Sequence, residues 1–438
     1  MSCIILIVIS TFWVLSAAQE SQNTTGPTHG KVVVCPVPTE SAIGIIGNNF
    51  KIDEADWNLC THLIALDGKF LLNNEMTERN KEEDYKQLSN LRSEYPHLKI
   101  YLAGRIQEYF VDFLKVNDST RLQEYIKGIT DYLKKHHFDG LDLNCGELCT
   151  SLTKISDFDK VNLLLQHLKE SFKQDDTKLL LTSSFSMSTE FLAEHIDYSA
   201  PAKHLDYFHF LPIEYDMHLL EKYNVSRTRD QLDILSVQEK IDSLIESGVP
   251  ANKIVMGLTF GGVNFQSEIL GDTVSKFDRI NGYSAICEMI TGSEADKWMF
   301  YYEDVKKLTN AYYKNGEKNK KRIIMYGESR MVANQMRFAV RRGLAGAATI
   351  TVDRDDFKGI CPLKNDTFYD FVPDNGIILH FLEQKESTFP LLRTVNEAIT
   401  ISLEELAQRS KGSASHSTVN VFYISFVLSS FVVLMNLI

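Results

Sequence analysis

Eight short apolar runs, spread over most of the chain, restrict it to few folds. They are "KVVVC" (31–35), "THLIAL" (61–66), "LKIYLAG" (98–104), "FDGLDLN" (138–144), "KLLLTSSFS" (178–186), "LDYFHFLPI" (205–213), "KIVMGLTF" (253–260) and "GLAGAATITV" (343–352). A run that is apolar at nearly every position, rather than at alternate ones, suits a strand covered on both faces. Between the runs lie helical periods, among them "STRLQEYIKGITDYLKK" (119–135) and "DKVNLLLQHLKESFK" (159–173). "SVQEKIDSLIESG" (236–248) ends on a glycine where a helix C-cap belongs. Strands alternating with helices build a parallel sheet, doubly wound or closed, and eight is the barrel number.

The interval between the seventh and eighth runs is too long for one helix. Residues 263–335 hold aromatic and polar stretches, "KWMFYYEDV" and "RIIMYGES" among them, and read as an inserted α+β subdomain on the C-terminal face. Residues 391–407 read as a closing helix. The expected fold class is α/β: a (β/α)8 TIM barrel over residues 31–408, with a small α+β insertion between strands 7 and 8. The 438 residues, 44% hydrophobic and 24% charged, have the composition of an ordinary globular protein.

Both ends read as processing signals. "CIILIVISTFWVL" (3–15) precedes small residues, and Ser16 and Ala18 fit the small-residue rule. This predicts a signal peptide over residues 1–18, cleaved after Ala18. At the other end Ser410, Gly412, Ser413 and Ala414 precede a polar spacer and an apolar tail from Val421 to Ile438. Residues 409–438 are therefore expected to be a lipid-anchor attachment signal or a transmembrane tail. Either one places the globular part outside the cell, at its surface. Asn23, Asn117, Asn224 and Asn365 open N-x-S/T sequons, the glycosylation sites of an exported chain. Of the 7 cysteines, Cys3 falls in the signal, which leaves an even set for disulfides: Cys35, Cys60, Cys145, Cys149, Cys287 and Cys361. "CGELC" near His136 and His137 lacks a second ligand cluster at zinc spacing, so neither a metal nor a cofactor is expected. The net charge of -12 argues against nucleic acid as a partner.

The fourth run carries the chemistry. "FDGLDLNCGELC" (138–149) resembles the signature strand of glycoside hydrolase family 18, the chitinases and chitinase-like proteins, which reads D-G-x-D-x-D-x-E. Asp139, Gly140 and Asp142 follow that pattern. "CTHLI", "KIVMGLTFGG", "RRGLAGAATITVDRDDFKGIC" and "FPLLRTVNEAI" resemble the family's second, seventh and eighth strands and its last helix, so the likeness covers nearly the whole mature chain. It implies the pairs Cys35–Cys60 and Cys287–Cys361, and leaves Cys145 and Cys149 to pair with each other or not at all.

The resemblance also implies a reaction and shows where this chain departs from it. Family chitinases use substrate-assisted hydrolysis, an exception to the two-carboxylate scheme. One Glu protonates the leaving oxygen, and an Asp two residues earlier orients the sugar's acetamide. Strand side chains alternate, so positions 142, 144 and 146 share one face. Here they are Asp142, Asn144 and Gly146. Gly has no proton to give, and Asn does not change charge. Glu147 is one residue out of phase and reaches the cleft only if a β-bulge shifts the strand. The family's floor Trp aligns with Ile350, the aromatics after its first strand with Pro36 and Val37, and its third-strand glycine turn with Gly104-Arg105-Ile106. Its M-x-Y-D ending aligns with Ile213 and Glu214, or after a two-residue shift with Tyr215 and Asp216. Trp57 reads as core, whereas Trp298 in the insertion is a candidate ligand contact. The candidate site set is thus Asp142 and Asn144, Glu147 only if bulged, and Asp139, Tyr215, Asp216, Trp298 and Ile350 around the sugar. The expectation is a catalytically silent chitinase-like protein that binds a chitin-like glycan or an extracellular protein. An active hydrolase using Glu147 and a protein-interaction scaffold without a sugar site are the alternatives.

Overall fold

The computed structural model describes residues 26–38, 50–69, 81–105, 119–144, 155–174, 178–186, 197–211, 234–268, 274–280, 282–293, 295–303, 308–314, 320–361, 365–372, 376–383 and 388–408. Each of the eight apolar runs becomes a strand: β1 (Val32–Pro38), β2 (His62–Lys69), β3 (Lys99–Arg105), β4 (Gly140–Asn144), β5 (Leu180–Ser186), β6 (Tyr207–Leu211), β7 (Ile254–Leu258) and β13 (Gly346–Thr349). They pair in parallel in that order, and β13 returns to β1, which closes the barrel. Helices α1 (Lys81–Glu94), α2 (Ser119–Lys135), α3 (Ile155–Lys173), α4 (Ile234–Glu246) and α6 (Ser329–Arg341) lie between strands, and α7 (390–408) follows them.

Burial explains why the runs are apolar throughout. Val33, Leu63, Ile100, Leu141, Leu181, Phe208 and Met256 join the large core between barrel and helices. Val32, Val34, Ile64, Tyr101, Leu211, Val255 and Ala348, one residue out of step with that set, join a smaller core inside the barrel. Period-two geometry sends neighbours to opposite faces, and here both faces are covered.

Between β7 and β13 stands a five-stranded antiparallel sheet, ordered β10-β11-β12-β8-β9. Its strands are β8 (Gly262–Glu268), β9 (Val274–Ile280), β10 (Trp298–Glu303), β11 (Leu308–Tyr313) and β12 (Lys320–Tyr326), with helix α5 (Tyr283–Thr291) after β9. The sheet ends at Tyr326, short of residue 335, because the residues from Ser329 onward form barrel helix α6. A two-stranded hairpin, β14 (Asn365–Val372) and β15 (Gly376–Glu383), precedes α7.

Two disulfides staple this frame. Cys35 on β1 joins Cys60 just before β2. Cys287 on α5 joins Cys361 beyond β13, tying the insertion to the barrel. Both pairs are those the family resemblance implied. Cys145 and Cys149 lie outside the described residues, as do Asn23, Asn117, Asn224 and residues 1–18 and 409–438. Among the described residues no helix is long and apolar enough to cross a membrane.

Candidate functional site

The motif strand β4 delivers Asp142 into the barrel interior. Register sets Asp142 beside Thr182 and Asn144 beside Ser184 on β5, and Ser184 beside His209 on β6. Three adjacent strands thereby turn four polar side chains inward. The Thr182 hydroxyl donates to Asp142 Oδ1 at 2.7 Å, and the Ser184 hydroxyl donates to Oδ2 at 2.8 Å. His209 Nδ1 lies 3.1 Å from Oδ1 and 3.4 Å from the Ser184 oxygen. Asp142 is 2% exposed and His209 1%.

Burial alone would raise the Asp142 carboxyl above its ordinary value. The adjacent His209 charge, its hydrogen bond and the two hydroxyls outweigh that effect and hold it low. Asp142 is therefore an anion at neutral pH, with both oxygens engaged. Such a group fixes charge and position, but it is a poor proton donor. His209 Nε2 is buried, with no hydrogen-bond partner among the described residues.

A second inward layer lies toward the start of the strands. His62 stands edge-on to Tyr101 at 5.4 Å and to Tyr207 at 5.7 Å, and its Nδ1 is 2.7 Å from the Thr61 hydroxyl. Burial, the nearby His209 charge and Lys99 push its pKa down to about 3, so His62 is neutral. Burial pushes the Tyr101 hydroxyl far up.

The structure separates Asp139 from Asp142. Asp139 precedes β4 at the N-terminal end of the barrel, where Oδ2 pairs with Arg92 at 2.8 Å and accepts the Ile100 N–H. The mouth lies at the Asn144 end, so Asp139 braces the strand start rather than contacting a ligand there. Three positions separate the two acids, and an odd spacing puts them on opposite faces. Trp298 is also relocated: it is 4% exposed, packed edge-on against Tyr313 at 5.0 Å, and presents no open ring face to a sugar. Ile350 follows β13 and is 3% exposed, so it fills space at the mouth. Trp57 is core at 1% exposed, its indole N–H bonded to the Ile52 carbonyl. Asn144 is described as a strand position, without its side chain, while Glu147, Tyr215 and Asp216 lie outside the described residues. Among the described residues no cluster of His, Cys, Asp or Glu could hold a metal ion.

Sequence reasoning missed His209. The available signal was a lone imidazole within "YFHFL", otherwise a wholly apolar central strand.

Known proteins with this pattern share the fold. Residues 39–355 match the sequence profile described as Glycosyl hydrolases family 18. "Probable chitinase 2" of Drosophila melanogaster is 30% identical, over 91% of this chain and 85% of its own length. The Group IV chitinase of Ostrinia furnacalis superposes with a TM-score of 0.64 at 20% identity, over 84% of this chain and 100% of its own. Human YKL-39, described as a pseudo-chitinase with retained chitooligosaccharide binding, superposes with a TM-score of 0.62 at 19% identity, over 84% of this chain and 100% of its own. With its closed barrel, its inserted sheet and a profile match over most of its length, the chain belongs to glycosyl hydrolase family 18.

Proposed function

We propose that this chain is a catalytically silent chitinase-like protein, secreted and held at the cell surface by its C-terminal tail, whose barrel mouth binds chitin-like N-acetylglucosamine glycans. The observation that carries the reading is the fate of the motif strand. Its Asp142 is locked by Thr182, Ser184 and His209, and the sequence has Asn144 and Gly146 where the family pattern has its last two acids. The anion is kept, and the proton donor is not. The pseudo-chitinase relative supports retention of sugar binding on a barrel that does not hydrolyse. A protein ligand is the second candidate for the same mouth.

The test is hydrolysis of a fluorogenic chitooligosaccharide by the secreted protein, beside its Glu147→Gln variant, with a calorimetric titration of N-acetylglucosamine tetramer. Binding without turnover in either protein is the expected result. Turnover that disappears with Glu147→Gln makes the chain a hydrolase whose acid has moved one residue. A flat titration without turnover removes the sugar site and leaves the protein ligand.

A further inference from the structure

Three of the five large apolar side chains exposed on the described surface fall on one strand. Met299 is 54% exposed, Phe300 41% and Tyr301 54%, all on β10. β10 ends the inserted sheet, and among the described residues its one strand neighbour is β11. Edge strands normally carry Lys, Pro or a bulge that blocks further pairing. "WMFYYE" contains neither Lys nor Pro, and its register against β11 runs unbroken from Trp298 to Glu303.

The backbone fixes which residues face outward. The Lys314 N–H donates to the Lys297 carbonyl, so 297 and 314 form a hydrogen-bonded pair of the antiparallel ladder. Such pairs alternate with non-bonded ones, so Met299 and Tyr301 direct their backbone groups toward β11 and Phe300 directs its own away. The strand is anchored from the barrel side. Asn334 on α6 donates to the Tyr302 hydroxyl at 3.0 Å, and Arg330 lies 4.0 Å from the centre of that ring.

We infer that β10 is an interface between two copies of this chain, paired antiparallel across a two-fold axis at Phe300. Symmetry limits the choice of register. In a two-fold antiparallel ladder one residue must face itself, because otherwise two equivalent pairs would have to be hydrogen-bonded and non-bonded at once. With Phe300 on the axis, Met299 faces Tyr301 of the other copy, twice. The two most exposed apolar side chains thus cover each other, a sulfur–aromatic contact in the closer, non-bonded pairs. Trp298 falls opposite Tyr302, and Lys297 falls opposite Glu303 at each end. This register sets a basic position against an acidic one at each end, a self-match that an arbitrary extended peptide would not have.

The test uses the full chain expressed on cells. Residue 300 faces its own symmetry mate at a Cα separation of about 5.5 Å, within disulfide reach. Phe300→Cys should give a dimer on non-reducing gels. Leu163→Cys, at an exposed site on α3, should not. Adding Tyr301→Lys to the Phe300→Cys chain should abolish the dimer. Lys297→Glu should weaken crosslinking several-fold, and adding Glu303→Lys should restore it. A Phe300→Cys chain that crosslinks no better than the Leu163→Cys control overturns the inference. So does a crosslinked product of another mass, which would assign the edge to a different protein. A charge swap that fails to restore crosslinking overturns the register.

Discussion

At the scale of single residues, the buried Asp142 carboxylate, with His209, Thr182 and Ser184 around it, organises the barrel interior. Removing the charge of a buried carboxylate weakens every hydrogen bond made to it, at a cost of about 1.5–3 kcal/mol. Asp142→Asn should therefore destabilise the protein by that order in urea unfolding. The same change made in a His209→Gln background should cost distinctly less, because the imidazole that faces the carboxylate is already gone. Additive losses would mean the two side chains are not coupled. The pH dependence has a definite sign. A carboxyl held below its unfolded value contributes stability above that value, about 3.9, and loses it as the pH falls through the folded value. The difference between wild type and Asp142→Asn should thus stay level from pH 5 to 7 and shrink below pH 4. Asp142 was legible in the sequence because the motif names it. His209 was not, because its role comes from a neighbouring strand and no spacing rule links positions 142 and 209. Asp139 belongs to the same motif, but its odd spacing from Asp142 puts it on the other face of the strand.

At the scale of elements, two devices hold the motif strand and the last helix in place. A Cβ on Gly140 would lie 2.3 Å from the Leu180 carbonyl oxygen, a backbone atom fixed by its own ladder. The glycine of the motif is thus explained by strand packing. Gly140→Ala should cost about 1–3 kcal/mol through overpacking, read as a lowered melting temperature. Helix α7 begins with Pro390, and its next two N–H groups, from Leu391 and Leu392, donate to the buried Asp355 carboxylate at 3.2 and 2.8 Å. Burial pushes that carboxyl up to about 7, the backbone donors oppose the shift, and the charge of Asp356 adds to it. A raised acid binds its proton more tightly when folded, so its contribution is most favourable at low pH and declines as the pH rises from about 4 through 7. Unfolding at pH 5, 6, 7 and 8 should show wild type losing stability relative to Asp355→Asn across that range. A flat difference would mean the carboxylate is already ionised throughout. The hairpin β14–β15 has no counterpart among the sequence expectations, although "VPDNG" lies at its centre. A proline and Asp-Asn-Gly between two apolar stretches were the turn signal.

At the scale of the whole molecule, the barrel was legible because two-sided burial writes itself as continuous apolar runs. The mouth was less so, because loops there follow no period and the family's lost groups leave only gaps in a pattern. The structure suggests why those losses do not reverse singly. Ile350, where the family has its floor Trp, is 3% exposed and already part of the packing. A Trp is much larger than the buried Ile it would replace, and overpacking costs about 1–3 kcal/mol. Asp142 is likewise bound into its pair with His209, so a carboxyl returned at 144 or 146 meets an anion with no proton to share. Asn144→Asp with Gly146→Glu should therefore fail to bring chitooligosaccharide turnover to the level of an active family member, even if the protein folds and binds sugar. Ile350→Trp added to that pair should lower the melting temperature before it improves catalysis. Full turnover from the two carboxyls alone would show the opposite: a mouth kept in catalytic shape, lacking nothing but its acids.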